Sequence, residues 1–156
     1  LIADRGMTPT VQLLEDGWVS PEVAQLPPDA GIRQAGGPLL MLERAFCGDG
    51  QPLVHSKVYF RGDNLTVDYR SWSQYGDLSL SEFLEAFCIR RATVTLAELD
   101  LCPVDPSLAQ KLKVAPETVL LGMTDIRYDL DGHEILRGRA LFCPQILPLK
   151  LVRRED

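Results

Sequence analysis

The chain has 156 residues, 46% of them hydrophobic and 24% charged, a composition that fits one compact globular domain with a sizeable core. Its net charge of -6 and sequence pI near 4.9, without any run of like charges, exclude a protein held to nucleic acid or anionic lipid by bulk electrostatics. No apolar stretch approaches the roughly 18 residues needed to cross a bilayer, so no membrane partner is expected.

In chain order, Thr10 to Leu14 reads as a short strand. Ser20-Pro21-Glu22 then supplies an N-cap, a proline suited to the first helical position and an acid in the first turn, predicting a brief helix over about 21–25. Pro27-Pro28 ends it, and Gly36-Gly37 frees the backbone. The apolar run from Pro38 closes on Asp49-Gly50 and is followed by a second alternating run, Gln51 to Phe60, the pattern of a β-hairpin. Arg61 to Asp77 alternates polar and aromatic residues, a connection long enough to expect a task of it. Ser79-Leu80-Ser81-Glu82 is a capping box, after which Leu80, Phe83, Leu84 and Phe87 form one helical face. A strand over Arg91 to Leu101, a helix opened by Asp105-Pro106 and carrying Leu108 and Leu112, a second hairpin from Leu120 to Phe142 around Asp131-Gly132, and a last strand complete the order.

The two hairpins are copies of one unit. Asp49-Gly50 and Asp131-Gly132 are offset by 82 residues, and the same offset pairs Phe46 with Tyr128, Met41 with Met123, Lys57 with Arg139 and Phe60 with Phe142. The expected architecture is α+β: an antiparallel sheet of two pseudo-repeated hairpins with helices packed on it, one domain over 1–156. Cys47, Cys88, Cys102 and Cys143 form no Cys-x-x-Cys, and three lie in apolar runs; they read as small buried hydrophobes of a reducing cytosol rather than as a disulfide framework.

Strand alternation puts Arg44 on one face with Leu40, Leu42 and Phe46. A guanidinium in an apolar stripe needs an anion, from a ligand or from a protein carboxylate. Ser56 lies on the apolar side of the return strand, between Val54 and Val58, where a hydroxyl needs a partner or lines a cavity. His55, Lys57 and Tyr59, with Arg137 and Arg139 in the second copy, make the other face basic; a solvated sheet face is the plainer reading there. Catalysis finds little support. His55 and His133 are not spaced as a metal pair, no nucleophile stands in a recognisable setting, and neither metal nor cofactor is expected.

Three elements together resemble the UTRA effector-binding domain of GntR-type transcription regulators of the HutC branch, a family that shares its fold with chorismate lyase. They are Leu42-Glu43-Arg44 running into Asp49-Gly50-Gln51-Pro52-Leu53, the helix start Ser79-Leu80-x-x-Phe83-Leu84, and the second hairpin through Tyr128-Asp129-Leu130-Asp131-Gly132, spanning roughly 8 to 154. The resemblance implies a cytoplasmic small-molecule sensor whose full-length form is a homodimer and reaches operator DNA only through a winged helix-turn-helix upstream of Leu1. Because Leu1 follows neither an initiator Met nor a signal-peptide pattern, the chain reads as a piece of such a longer protein.

The effector would face Arg44, Phe46 and Ser56 on the first hairpin, Ser79 and Leu80 at the helix start, Tyr75 in the preceding loop and Arg137 on the second hairpin, with Tyr69, Trp72 and Tyr75 closing over it. Phe46, Ser56 and Glu134 stand where relatives that bind phosphorylated sugars commonly carry an Arg, an acid and a Pro, so a sugar phosphate is not inherited with the fold. The lyase is the rival reading, and a dimerisation module without ligand a weaker one; aligned with the lyase, Leu42 and Arg139 replace an essential Arg and Glu.

Overall fold

Six runs of alternating side chains pair into one antiparallel sheet. The computed structural model describes residues 1–66 and 79–147. The strands are β1 (Pro9–Val19), β2 (Leu39–Gly48), β3 (Gln51–Arg61), β4 (Val94–Pro103), β5 (Val119–Tyr128) and β6 (Glu134–Phe142), in the spatial order β1-β2-β3-β6-β5-β4. The helices are α1 (Gly31–Gln34), α2 (Leu80–Phe87) and α3 (Pro106–Leu112). The duplication extends beyond the hairpins. The unit β1-α1-β2-β3 recurs as β4-α3-β5-β6, and β3 pairs with β6 at the centre with Lys57 directly opposite Arg139, its own counterpart. The pseudo-twofold axis therefore passes between those two side chains, and α2 belongs to neither copy.

Two expectations are corrected. Residues 21–25 form turns, not a helix. Ser20 caps as expected, its hydroxyl accepting the Val23 amide at 3.4 Å, but Gln25 turns left-handed at φ 52° and the amide-free Pro27 and Pro28 follow closely. The helix forms later, over Gly31–Gln34, where no side chain of its own caps it. Glu134, from a strand about a hundred residues away in sequence, accepts the Gly31 amide at 2.8 Å, a cap that local sequence cannot display. After β6 the chain makes a 3-10 turn over Pro144–Ile146, and the last expected strand falls on residues beyond 147, outside the described ones.

The second correction concerns register. Asp49 and Gly50 both take positive φ, the two-residue turn of the tightest hairpins. In the second hairpin only Gly132 does so, and Asp129 accepts the His133 and Asp131 amides around a three-residue loop, Leu130-Asp131-Gly132. That extra residue moves β5 by one place against β6. Val54, Ser56 and Val58 keep their counterparts Leu136, Gly138 and Ala140, but Ser56 faces Arg44 whereas Gly138 faces Asp125. A one-residue slip exchanges the faces of a strand. Asp125, not Ile126, is thus the structural counterpart of Arg44, and Arg127, not Tyr128, that of Phe46.

The two sheet faces bury different things. On one face α2 packs Phe83 and Leu84 onto Leu40, Leu42, Val58, Phe60 and Leu136, with the Phe60 and Phe83 rings 5.1 Å apart. Farther along that face, Val54 and Phe142 pack with Ile2 and Ile146 from the chain ends. The opposite face is covered by α1, through Ile32 on Leu39, and by α3, through Leu108 and Leu112 against Leu120 and Leu141. Between these helices the face read from sequence as basic and solvated holds paired charges. Glu43 is 1% exposed and takes Lys111 Nζ of α3 at 2.6 Å and His55 Nε2 at 2.7 Å, with Lys57 Nζ 3.5 Å away. Arg139 reaches Asp100 at 2.8 Å and donates to Thr124 at 2.9 Å, and Arg137 forks onto Glu134 at 2.6 and 3.0 Å.

Two predictions follow from this face. Burial alone would raise the Glu43 carboxyl, but the His55 and Lys111 hydrogen bonds and the Lys57 charge hold it at about 2 against an ordinary 4.5. A depressed carboxyl contributes its stability above the ordinary value and loses it as pH falls towards the folded one. Denaturation midpoints should therefore decline on acidification between about pH 4.5 and 2, and Glu43→Gln should lose that limb while costing ~2 kcal/mol at neutral pH, because it takes a charged acceptor from buried His55 and from two part-exposed lysines. At Gly122 a Cβ would fall on Asp100 Oδ1 and Arg139 Nη2. Gly122→Ala should cost about 1 kcal/mol in urea denaturation, and less in an Asp100→Ala background, where the obstruction is gone.

Candidate functional site

On the face that carries α2, Arg44 and Ser56 stand between its two apolar clusters. They are directly opposed on β2 and β3, and both are buried, at 6% and 8% exposure. Loss of water pushes the Arg44 guanidinium below its ordinary value without bringing it near neutrality. Its Cζ lies 5.1 Å from the centre of the Phe46 ring, a cation–π contact that leans the charge along β2 towards the cluster built on the chain ends. Among the described residues no hydrogen bond reaches the Ser56 hydroxyl. Beyond Ser56 the same face continues through the small residues Ala140 and Gly138 to Asp125 on β5. An arginine and an aspartate thus mark the two halves of this face, flanking small residues.

Leu80 packs at the edge of the α2 cluster, which brings the start of α2 to this face. Its capping box is complete: Ser79 Oγ accepts the Glu82 amide at 3.3 Å and Glu82 Oε2 accepts the Ser79 amide at 2.7 Å. Those bonds hold the Glu82 carboxyl below its usual range. Two of the orphan amides are therefore taken, and a carboxylate already sits at the positive end of the helix dipole, so an anion arriving there uses the Leu80 and Ser81 amides and works against Glu82.

The structure brings Arg44, Phe46, Ser56, Ser79 and Leu80 to one side of the sheet. It does not bring Arg137, which alternation turns to the α1 and α3 face, where Glu134 holds it. Tyr75, with Tyr69 and Trp72, lies outside the described residues. Asp125 was missed because the 82-residue offset assigns it to the other face; the signal was the Asp129 side chain, whose local bonding lengthens the loop. Glu43 was missed because its cations come from β3 and from α3, more than sixty residues downstream.

All four cysteines are free thiols, and burial raises those of Cys88 and Cys143 to about 11, which keeps them protonated. His55 and His133 each face a carboxylate, Glu43 and Asp129. Leu42 is buried in the α2 cluster, while Arg139 is engaged with Asp100 on the opposite face.

The UTRA domain model matches residues 4–144. No curated protein sequence matches the chain. Among solved structures it is similar to the effector domain of PhnF from Mycobacterium smegmatis, with a TM-score of 0.73 at 17% identity over 99% of this chain and 92% of that one. Against the longer PhnF structure the TM-score is 0.78 at 19% identity, covering 99% of this chain but 66% of that one. A GntR-family transcriptional regulator from Bacillus cereus matches with a TM-score of 0.74 at 11% identity, over 94% and 99% of the two chains. Identities this low speak for the fold alone; the family match runs across nearly the whole sequence and carries more, and by it the chain belongs to the UTRA domain family of ligand-sensing regulatory domains.

Proposed function

We propose that this domain binds a small polar or anionic metabolite on the α2 face, between Arg44 and Ser56 on the first hairpin and the Ser79–Leu80 start of α2, and that binding modulates how a full-length homodimer holds its operator. The observation that carries the reading is Ser56. A buried hydroxyl that no hydrogen bond from the described residues reaches, opposite a buried arginine and beside small side chains, is a poor use of a core position and a good lining for a polar ligand. Arg44 supplies charge and Phe46 backs it with a ring face. Tyr75 would complete the site from the loop before α2. The chemistry is binding rather than turnover, since no described residue pairs a nucleophile with a base, and neither metal nor cofactor is called for.

Control of DNA would act by population shift. The effector favours one arrangement of the dimer over another by its difference in affinity for the two, and so biases the spacing of two DNA-reading heads. The upstream segment would hold the winged helix-turn-helix, and the chain's coverage of about two thirds of the longer PhnF structure is in keeping with that layout. No described helix is long and apolar enough to cross a membrane, and a cytoplasmic location fits a regulator of transcription.

Arg44→Gln should abolish the rise in melting temperature produced by an activating metabolite while the apo fold persists. Truncating a buried arginine that meets a ligand anion costs on the order of 2 to 5 kcal/mol of binding. A variant that unfolds, with unchanged affinity in the folded remainder, makes Arg44 a structural residue instead. The full-length regulator should bind a palindromic site as a dimer by light scattering and gel shift, with strong salt dependence. The acidic 156-residue domain should not bind DNA; if it does, and salt-sensitively, the division of labour is wrong.

A further inference from the structure

Arginine keeps its charge at any accessible pH, so a guanidinium that loses water on folding is normally given an acceptor. This chain obeys that for Arg61 with Asp63, Arg137 with Glu134, Arg139 with Asp100, and Arg33 with the Leu26 carbonyl at 2.5 Å. Arg127 departs from it. The residue is half-buried on β5 with its Nε shut off from solvent, and among the described residues neither a hydrogen-bond partner of that nitrogen nor an ion pair reaches it. It lines a pocket of about 200 Å³ together with Ser81, Leu84 and Glu85 of α2 and with Arg91 and Ala92 ahead of β4. Arg91 likewise has no ion pair among the described residues. The slipped register is what turns Arg127 towards α2.

We infer that this corner is an oxyanion site, seating a phosphate or carboxylate group between the Arg127 and Arg91 guanidinium groups with the Ser81 hydroxyl beside them. Planar guanidinium donors match oxyanions, and the apolar walls of Leu84 and Ala92 strengthen such bonds by excluding water. Glu85 acts against the anion. It is exposed and stands beyond ion-pair distance from either arginine, so among the described residues the pocket is lined by two cations and one carboxylate, a positive balance. The site is distinct from the proposed effector site. Arg127 lies in the row of Leu136, Phe60 and Leu40, whereas Arg44 lies in the row of Ser56, Ala140 and Met123. An anion here ties α2 to β5, and the start of α2 borders the effector site, so the anion's presence would bear on how firmly that helix is held.

The test is to follow the arginine Nε–H resonances of the isolated domain while titrating inorganic phosphate, with acetate in a parallel arm and sodium chloride at matched ionic strength as the control. The Arg127 resonance should shift saturably. Arg127→Gln and Arg91→Gln should each weaken binding by ~tenfold, and Glu85→Gln should tighten it. If acetate saturates the same resonance at lower concentration, the site reads a carboxylate; if phosphate does, a phosphate. Arg127→Lys keeps the charge and serves if the glutamine variant does not fold, and the exposed Arg91 gives an independent reading. An Arg127 signal that stays still, or moves as much with chloride, overturns the inference, as does wild-type affinity in both arginine variants. None of these outcomes depends on Arg44, so this site and the effector reading stand or fall separately.

Discussion

Because side chains alternate along a strand, the length of the second hairpin loop decides which residues of β5 see which neighbours. With the two-residue turn of the first hairpin, Asp125 would stand on the α1 and α3 face opposite Arg139, as Glu43 stands opposite Lys57. With three residues in the loop it stands on the α2 face, and Thr124 takes its place. Arg139 then finds its acid on the next strand, at Asp100, across a gap that Gly122 keeps open. The same slip delivers Arg127 to α2. One added residue thereby makes two copies of one unit chemically unlike.

The pseudo-twofold axis also sets an electrostatic problem. Lys57 and Arg139 face each other across the central strand pair, where like charges repel at close range. The fold answers with a buried acid on one side and a half-exposed one on the other. Glu43 does more than neutralise, since it gathers β2, β3 and α3 around one carboxylate and so fixes where the helix docks. Glu134 performs a similar office for α1, bonding its first amide while holding Arg137. Both acids are nearly excluded from water, and each bonds an element other than its own, so these contacts specify an arrangement more than they add net stability.

Symmetry alone would leave the two halves of each sheet face alike. The helix between the copies breaks it. α2 covers part of one face with an apolar stripe and leaves the neighbouring part to Arg44, Ser56, Gly138 and Asp125, a mixture of charge and small side chains that a core would not use. Duplicated strands give rigidity, and the unduplicated helix gives the asymmetric boundary that a ligand requires.

Much of this was legible in the order of residues. Period-two alternation located the strands, the Ser79–Glu82 box fixed the start of α2 because capping is a contact between residues three apart, and the stripe around Arg44 marked a charge on an apolar face. Those signals are local, and local geometry obeyed them. What the sequence left open depended on residues far apart: the cap of α1 comes from β6, the partners of Glu43 come from β3 and α3, and the faces of β5 follow from how a side-chain acceptor at Asp129 shapes a turn. Repetition at a fixed offset suggested equivalent faces, but a hairpin's register is set by its loop. Only the assembled sheet decides which side of it each charge occupies.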